Sequence, residues 1–113
     1  IPELKGKLDG LAMRVPVACG SIVDFVAILK KNTDAKRVNE AFKKAASKEM
    51  RGILEYTEDE IVSSDIISNS HSSIVDGLST QVLGNNLVKV LAWYDNEYGY
   101  SNRLVDVIKK LRG

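Results

Sequence analysis

The sequence predicts an α+β domain: a mostly antiparallel sheet with helices packed on one face, plus a C-terminal helix. Three observations carry that expectation. β-branched and aromatic runs punctuated by Gly, Asn and Ser stand on both sides of a long stretch that lacks Gly and Pro, and the chain closes on an apolar stripe at helical spacing. The order strands, helix, strands, helix argues against repeated βαβ units. With 113 residues, 44% of them apolar and 27% charged, the chain is one domain able to bury a core without staples.

Taken in order, Leu8 to Val17 mixes apolar and small side chains and reads as a strand that ends, or runs along a sheet edge, near Pro16, which cannot donate to a ladder. Gly20 and Ser21 punctuate the chain before Ile22 to Leu29, a run of strand length and composition expected to be well buried. Asn32, Thr33 and Asp34 can accept from the free N–H groups of a helix start, and a helix is expected from about Ala35 to Glu49. Its Val38, Ala41, Phe42, Ala45 and Ala46 recur at three- and four-residue steps, so they share one face. Beyond Gly52, short strands are expected at Ile53 to Tyr56, at Ile61 and Val62, at Ser73 to Asp76, and at Thr80 to Leu83. Gly84, Asn85 and Asn86 tolerate turn conformations and predict a hairpin onto Leu87 to Trp93. Leu104, Val107, Ile108 and Leu111 mark the final helix, with Asp95 or Asn96 placed to cap it.

Composition narrows the function classes. Sixteen basic against fifteen acidic residues give a net charge of +1, which argues against a nucleic-acid module. Lys36 to Arg51 is basic and Glu55 to Asp65 acidic, an asymmetry that reads as solvated faces. No apolar run approaches the roughly 20 residues that cross a bilayer, so no membrane partner is expected. The single Cys19 can close no internal disulfide, and with the single His71 it cannot assemble a zinc site, so a reducing, cytoplasmic setting fits. The start at Ile1 and Pro2, without an initiator Met or a leader, suggests a piece of a longer chain.

Few residues invite chemistry. Arg14 among apolar neighbours needs an anion or a set of carbonyls, either a structural acid or a bound phosphate or carboxylate. Residues 93 to 100 concentrate the only Trp and three of the four Tyr at a strand-to-helix junction, where Asn96 could recognise another amide. Cys19 reads as a small packed side chain rather than a nucleophile. His71 between two serines does not by itself make a catalytic pair. No GxGxxG, Walker loop, HExxH or CxxC occurs.

Several stretches together resemble one family, the phosphorylating, NAD-dependent glyceraldehyde-3-phosphate dehydrogenases. They are residues 2–8 (Pro-Glu-Leu-Lys-Gly-Lys-Leu), 10–16 (Gly-Leu-Ala-Met-Arg-Val-Pro), 61–65, 71–74, and above all 93–103 (Trp-Tyr-Asp-Asn-Glu-Tyr-Gly-Tyr-Ser-Asn-Arg). The resemblance implies that residues 1–113 are the C-terminal part of the family's catalytic domain, with the Rossmann domain and the catalytic Cys and His in absent upstream segments. Cys19 and His71 do not stand at those catalytic positions. It implies that Arg14 binds phosphate groups, that Asn96 hydrogen-bonds the nicotinamide carboxamide, and that Tyr100 packs beside the nicotinamide ring. It also implies a parent that uses glyceraldehyde 3-phosphate, inorganic phosphate and NAD and assembles as a homotetramer, and a last helix that packs on the nucleotide-binding half. Ala18, Cys19 and Gly20 depart from the family's usual Pro or Ala followed by Asn. Two alternatives stand beside this reading: a non-catalytic oligomerisation module, and the related erythrose-4-phosphate dehydrogenase.

Overall fold

A computed structural model describes residues 1–112. Four strands, β1 (Ser21–Ile28), β2 (Leu54–Thr57), β3 (Ser73–Leu83) and β4 (Leu87–Tyr94), form one sheet in the order β1-β4-β3-β2. β4 runs antiparallel to both neighbours, whereas β2 lies parallel to β3. The two helices are α1 (Ala35–Ser47) and α2 (Tyr98–Leu111). The α+β class stands, with a mixed sheet whose ladders are antiparallel except at one edge.

α1 begins where the local chemistry places it. Asp34 has extended backbone angles, and its carboxylate accepts from the Arg37 N–H at 2.8 Å, satisfying one of the free donors of the first turn. The apolar face of α1, with Val38, Phe42, Ala45 and Ala46, packs on Leu54, Val75, Val88 and Val90 and makes the core. Arg37, Lys43 and Lys44 leave that face. Lys43 reaches across to the acidic stretch, 2.7 Å from Glu58, which also accepts from the Tyr56 hydroxyl at 2.8 Å. Burial and then Glu58 push the Tyr56 phenol up to about 12.

β3 and β4 meet through Gly84, Asn85 and Asn86, with Leu83 opposite Leu87 as the hairpin signal required. The turn does a second job: Asn86 O and Asn85 O accept from Leu29 N and Thr33 N, which ties the exit of β1 to the hairpin. The Ser73 to Asp76 and Thr80 to Leu83 runs prove to be one strand, interrupted by a register shift between Asp76 and Gln81. Asp76 turns back on the bulge, where β3 runs five residues against two on β4, and accepts from Ser79 N and Ser79 Oγ.

Three expectations are corrected. Leu8 to Val17 is irregular and exposed rather than a strand: it pairs with neither β1 nor β2, the two strands at the sheet edges. β1 is a strand but is not well buried: it is a sheet edge beyond the reach of α1, and Ile22, Val23, Phe25, Val26 and Ile28 all stay exposed. Ile61 and Val62 form no strand. Their segment folds into turns closed by Asp65, whose carboxylate accepts from Val62 N at 2.7 Å, and it is anchored by the fully buried Ile66.

Candidate functional site

The junction between β4 and α2 gathers the most polar bonding in the molecule around Asp95, which is only 3% exposed. Asp95 Oδ1 accepts from Glu97 N and Tyr98 N, each at 2.8 Å, and Oδ2 accepts from Ser68 N at 2.8 Å. The first two bonds satisfy amides that open α2, so the expected cap is Asp95 even though the residue adjoining the helix is Glu97. These amides, Tyr98 first, hold the Asp95 carboxyl down to about 2.

Cys19 comes from far upstream to the same carboxylate. Its Sγ lies 3.4 Å from Asp95 Oδ1 and 3.8 Å from Asn96 Oδ1. One thiol proton cannot serve both, and the nearer, charged oxygen takes it. Partial burial, followed by the Asp95 hydrogen bond and charge, pushes the Cys19 thiol above its ordinary range, the opposite of what a nucleophile needs.

Asn96 is oriented unambiguously. Its Oδ1 accepts from the Gly20 N–H at 3.0 Å, so the carbonyl end points at Gly20 and the amide Nδ2 remains as the donor. Gly20 fits there because its φ is +95° and because a Cβ would lie 3.0 Å from Ile66 Cδ1 and 3.1 Å from Ser63 O.

Around Asp95 and Asn96 a cleft of about 330 Å³ is lined also by Ser72, Tyr94, Gly99, Tyr100 and Arg103. Gly99 brings α2 against the loop, since a Cβ there would sit 2.7 Å from His71 O. One turn further along the same face, Arg103 fastens the helix by donating to Gly52 O at 3.0 Å, and it pairs within the helix with Asp106 at 3.0 Å. The structure therefore brings Asn96 and Tyr100 to one cleft. Arg14 is exposed, makes no hydrogen bond or ion pair among the described residues and does not line the cleft, although its segment reaches Asn96 through Cys19 and Gly20.

His71 lies elsewhere, held by Glu55 Oε2 at 3.0 Å and Asn69 Oδ1 at 2.9 Å from Nδ1, with Asn69 Nδ2 closing the triangle onto Glu55 at 2.7 Å. Its Nδ1 is committed to these acceptors rather than to a serine hydroxyl. His71 and Glu55 edge a second cavity of about 350 Å³ between α1 and β2. Among the described residues no group of three or more His, Cys, Asp or Glu could hold a metal, and no helix is long and apolar enough to cross a membrane.

Sequence reading passed over two residues of the junction: Asp95 was seen only as a cap, and Arg103 only as part of a motif. An aspartate two and three residues before two helix-opening amides signals the cap, but nothing local announces that Ser68 and Cys19 share it.

A family model described as glyceraldehyde 3-phosphate dehydrogenase, C-terminal domain, matches residues 1–96. The chain belongs to this family. Among its relatives, the glyceraldehyde-3-phosphate dehydrogenase of Borreliella burgdorferi is 59% identical over 113 residues, covering 98% of this chain and 34% of the relative. Glyceraldehyde-3-phosphate dehydrogenase 2 of Bacillus subtilis is 55% identical over 109 residues, 96% of this chain and 32% of the relative. The testis-specific enzyme of Bos taurus is 51% identical, covering 96% and 28%. The chain thus spans about a third of the length of the curated relatives it matches. Within the dehydrogenase family the model match ends at Asn96, while the likeness to the Borreliella protein takes in nearly the whole chain.

Proposed function

We propose that this chain is the C-terminal part of the catalytic domain of a phosphorylating glyceraldehyde-3-phosphate dehydrogenase, converting glyceraldehyde 3-phosphate, NAD and phosphate to 1,3-bisphosphoglycerate and NADH. Asn96 carries the reading: with its oxygen engaged by Gly20, it offers a cleft one amide donor, which suits the carbonyl oxygen of a carboxamide. Tyr100, 67% exposed and one helical turn further on, offers a ring face beside that donor. These residues fit the nicotinamide end of NAD, which supplies hydride acceptance when bound; the remainder of NAD falls to an upstream Rossmann domain. Arg14 takes the substrate or inorganic phosphate, its planar fork matching phosphate oxygens. The nucleophilic Cys and its His also belong upstream, so this chain alone is inactive. The parent is a cytoplasmic homotetramer.

The test is a chimera in which this chain replaces the matching third of the Bacillus subtilis relative. The chimera turns over glyceraldehyde 3-phosphate faster than erythrose 4-phosphate, and a reversed preference transfers the assignment to the erythrose-4-phosphate enzyme. Asn96→Asp keeps the acceptor for Gly20 and removes the donor, so the KM for NAD rises at least about tenfold, the cost of one lost hydrogen bond in a desolvated site. An unchanged KM overturns the role of Asn96. The exposed apolar side chains of β1 favour a second reading, an assembly surface. A chimera that assembles but never turns over would leave only that one.

A further inference from the structure

An ordinary helix cap needs one side-chain acceptor for the opening amides, and a serine would serve. Asp95 does more than this. Its two oxygens collect donors from three separate parts of the chain: Glu97 N and Tyr98 N at the start of α2, Ser68 N from the loop after β2, and Cys19 Sγ from the segment before β1. A buried carboxylate with this many donors forms charge-assisted bonds that hold each partner firmly.

The partners close a ring. Ser68 belongs to the loop anchored by Ile66, and Ile66 Cδ1 with Ser63 O forms the wall against which Gly20 sits. Gly20 N in turn donates to Asn96 Oδ1, and Asn96 follows Asp95 directly. The peptide on either side of Asn96 is fixed as well, since Gly99 N donates to Asp95 O and Glu97 N to Asp95 Oδ1.

We propose that Asp95 is the positioning residue of the cleft: by fastening the Ser68 loop, the Cys19–Gly20 segment and the first turn of α2 to one carboxylate, it sets where Asn96 aims its amide donor. This rests on the reading of the cleft as a nicotinamide site, but its first test does not.

That test is amide hydrogen exchange, by NMR, on the 113-residue chain. In Asp95→Asn one acceptor oxygen becomes a donor group facing Ser68 N. With β3 and β4 still protected, Ser68 and also Gly20, which Asp95 does not touch, lose about tenfold or more in protection. Loss at Ser68 with Gly20 unchanged makes Asp95 a cap alone and overturns the proposal. Should Asp95→Asn fail to fold, Cys19→Ala removes one donor and spares the helix start. A several-fold loss at Gly20 then supports the ring, and none refutes it.

In the chimera, Asp95→Asn raises the KM for NAD about tenfold while kcat stays within about threefold, the pattern of a weakened binding contact from a misplaced Asn96 donor. A lowered kcat at unchanged KM overturns the proposal. A parent chimera without any turnover counts against the dehydrogenase reading only, because the exchange result at Gly20 stands apart from it.

Discussion

Arg14 and Asp95 mark opposite ends of what a side chain can do for this fold. Arg14 is exposed and makes no hydrogen bond or ion pair among the described residues, so Arg14→Ala leaves the urea midpoint of the chain unchanged. In the chimera the same substitution lowers phosphate-dependent turnover at least about tenfold, the loss of one charge-assisted pair; turnover that ignores it removes Arg14 from the site. Asp95 is needed by the fold itself. Its carboxyl titrates near 2 in the folded chain against 3.8 when free, so its contribution is fully present above pH 3.8 and fades as pH falls toward 2. Acid titration followed by tryptophan fluorescence therefore shows a loss of stability in that window, and Asp95→Asn reduces the dependence to what other lowered carboxylates such as Glu58, held down by Lys43 and Tyr56, contribute. The identities of Asn96 and Tyr100 were legible from the motif they share. The partners of Asp95 were not, because Cys19 and Ser68 lie 76 and 27 residues away along the chain.

Helix α1 shows how far local pattern reaches. Its start and most of its buried face followed from Asp34 and the three- and four-residue apolar steps, although it ends at Ser47, two residues before the expected Glu49, and Ala41 stays exposed. Asp34→Ala costs about 1 kcal/mol of unfolding free energy, read from urea denaturation, as the loss of an N-cap does. α2 obeys a different constraint. Gly99 lets its first turn meet the loop at His71, so Gly99→Ala, whose Cβ would lie 2.7 Å from a backbone oxygen, destabilises by roughly 1–3 kcal/mol in the same measurement despite alanine's better helix propensity. A stabilising result would mean that the helix can shift freely. Strands were harder to read. A stretch of strand-like composition becomes a strand only when it docks on an edge, and the apolar character of Leu8 to Val17 does not say that it stays off both open edges, β1 and β2. Likewise, burial of β1 depended on how far α1 extends over the sheet, which β1's own residues do not encode.

Over the whole molecule, the core lies under α1, where Leu54, Val75, Val88 and Val90 are closed off, and thins toward β1 and the C-terminal stripe, where Leu104, Val107, Ile108 and Leu111 stay exposed. The ladders also differ in how much chain they must gather. The β3–β4 pair closes across three residues, β2 reaches β3 across fifteen, and β1 reaches β4 across fifty-eight. Loop-closure entropy grows with that separation, so assembly begins at the Gly84–Asn86 turn and spreads outward. The last contacts to form are those that bring Cys19 and Gly20 up to the finished end of β4, so a nascent chain would complete its scaffold first and the corner around Asn96 last.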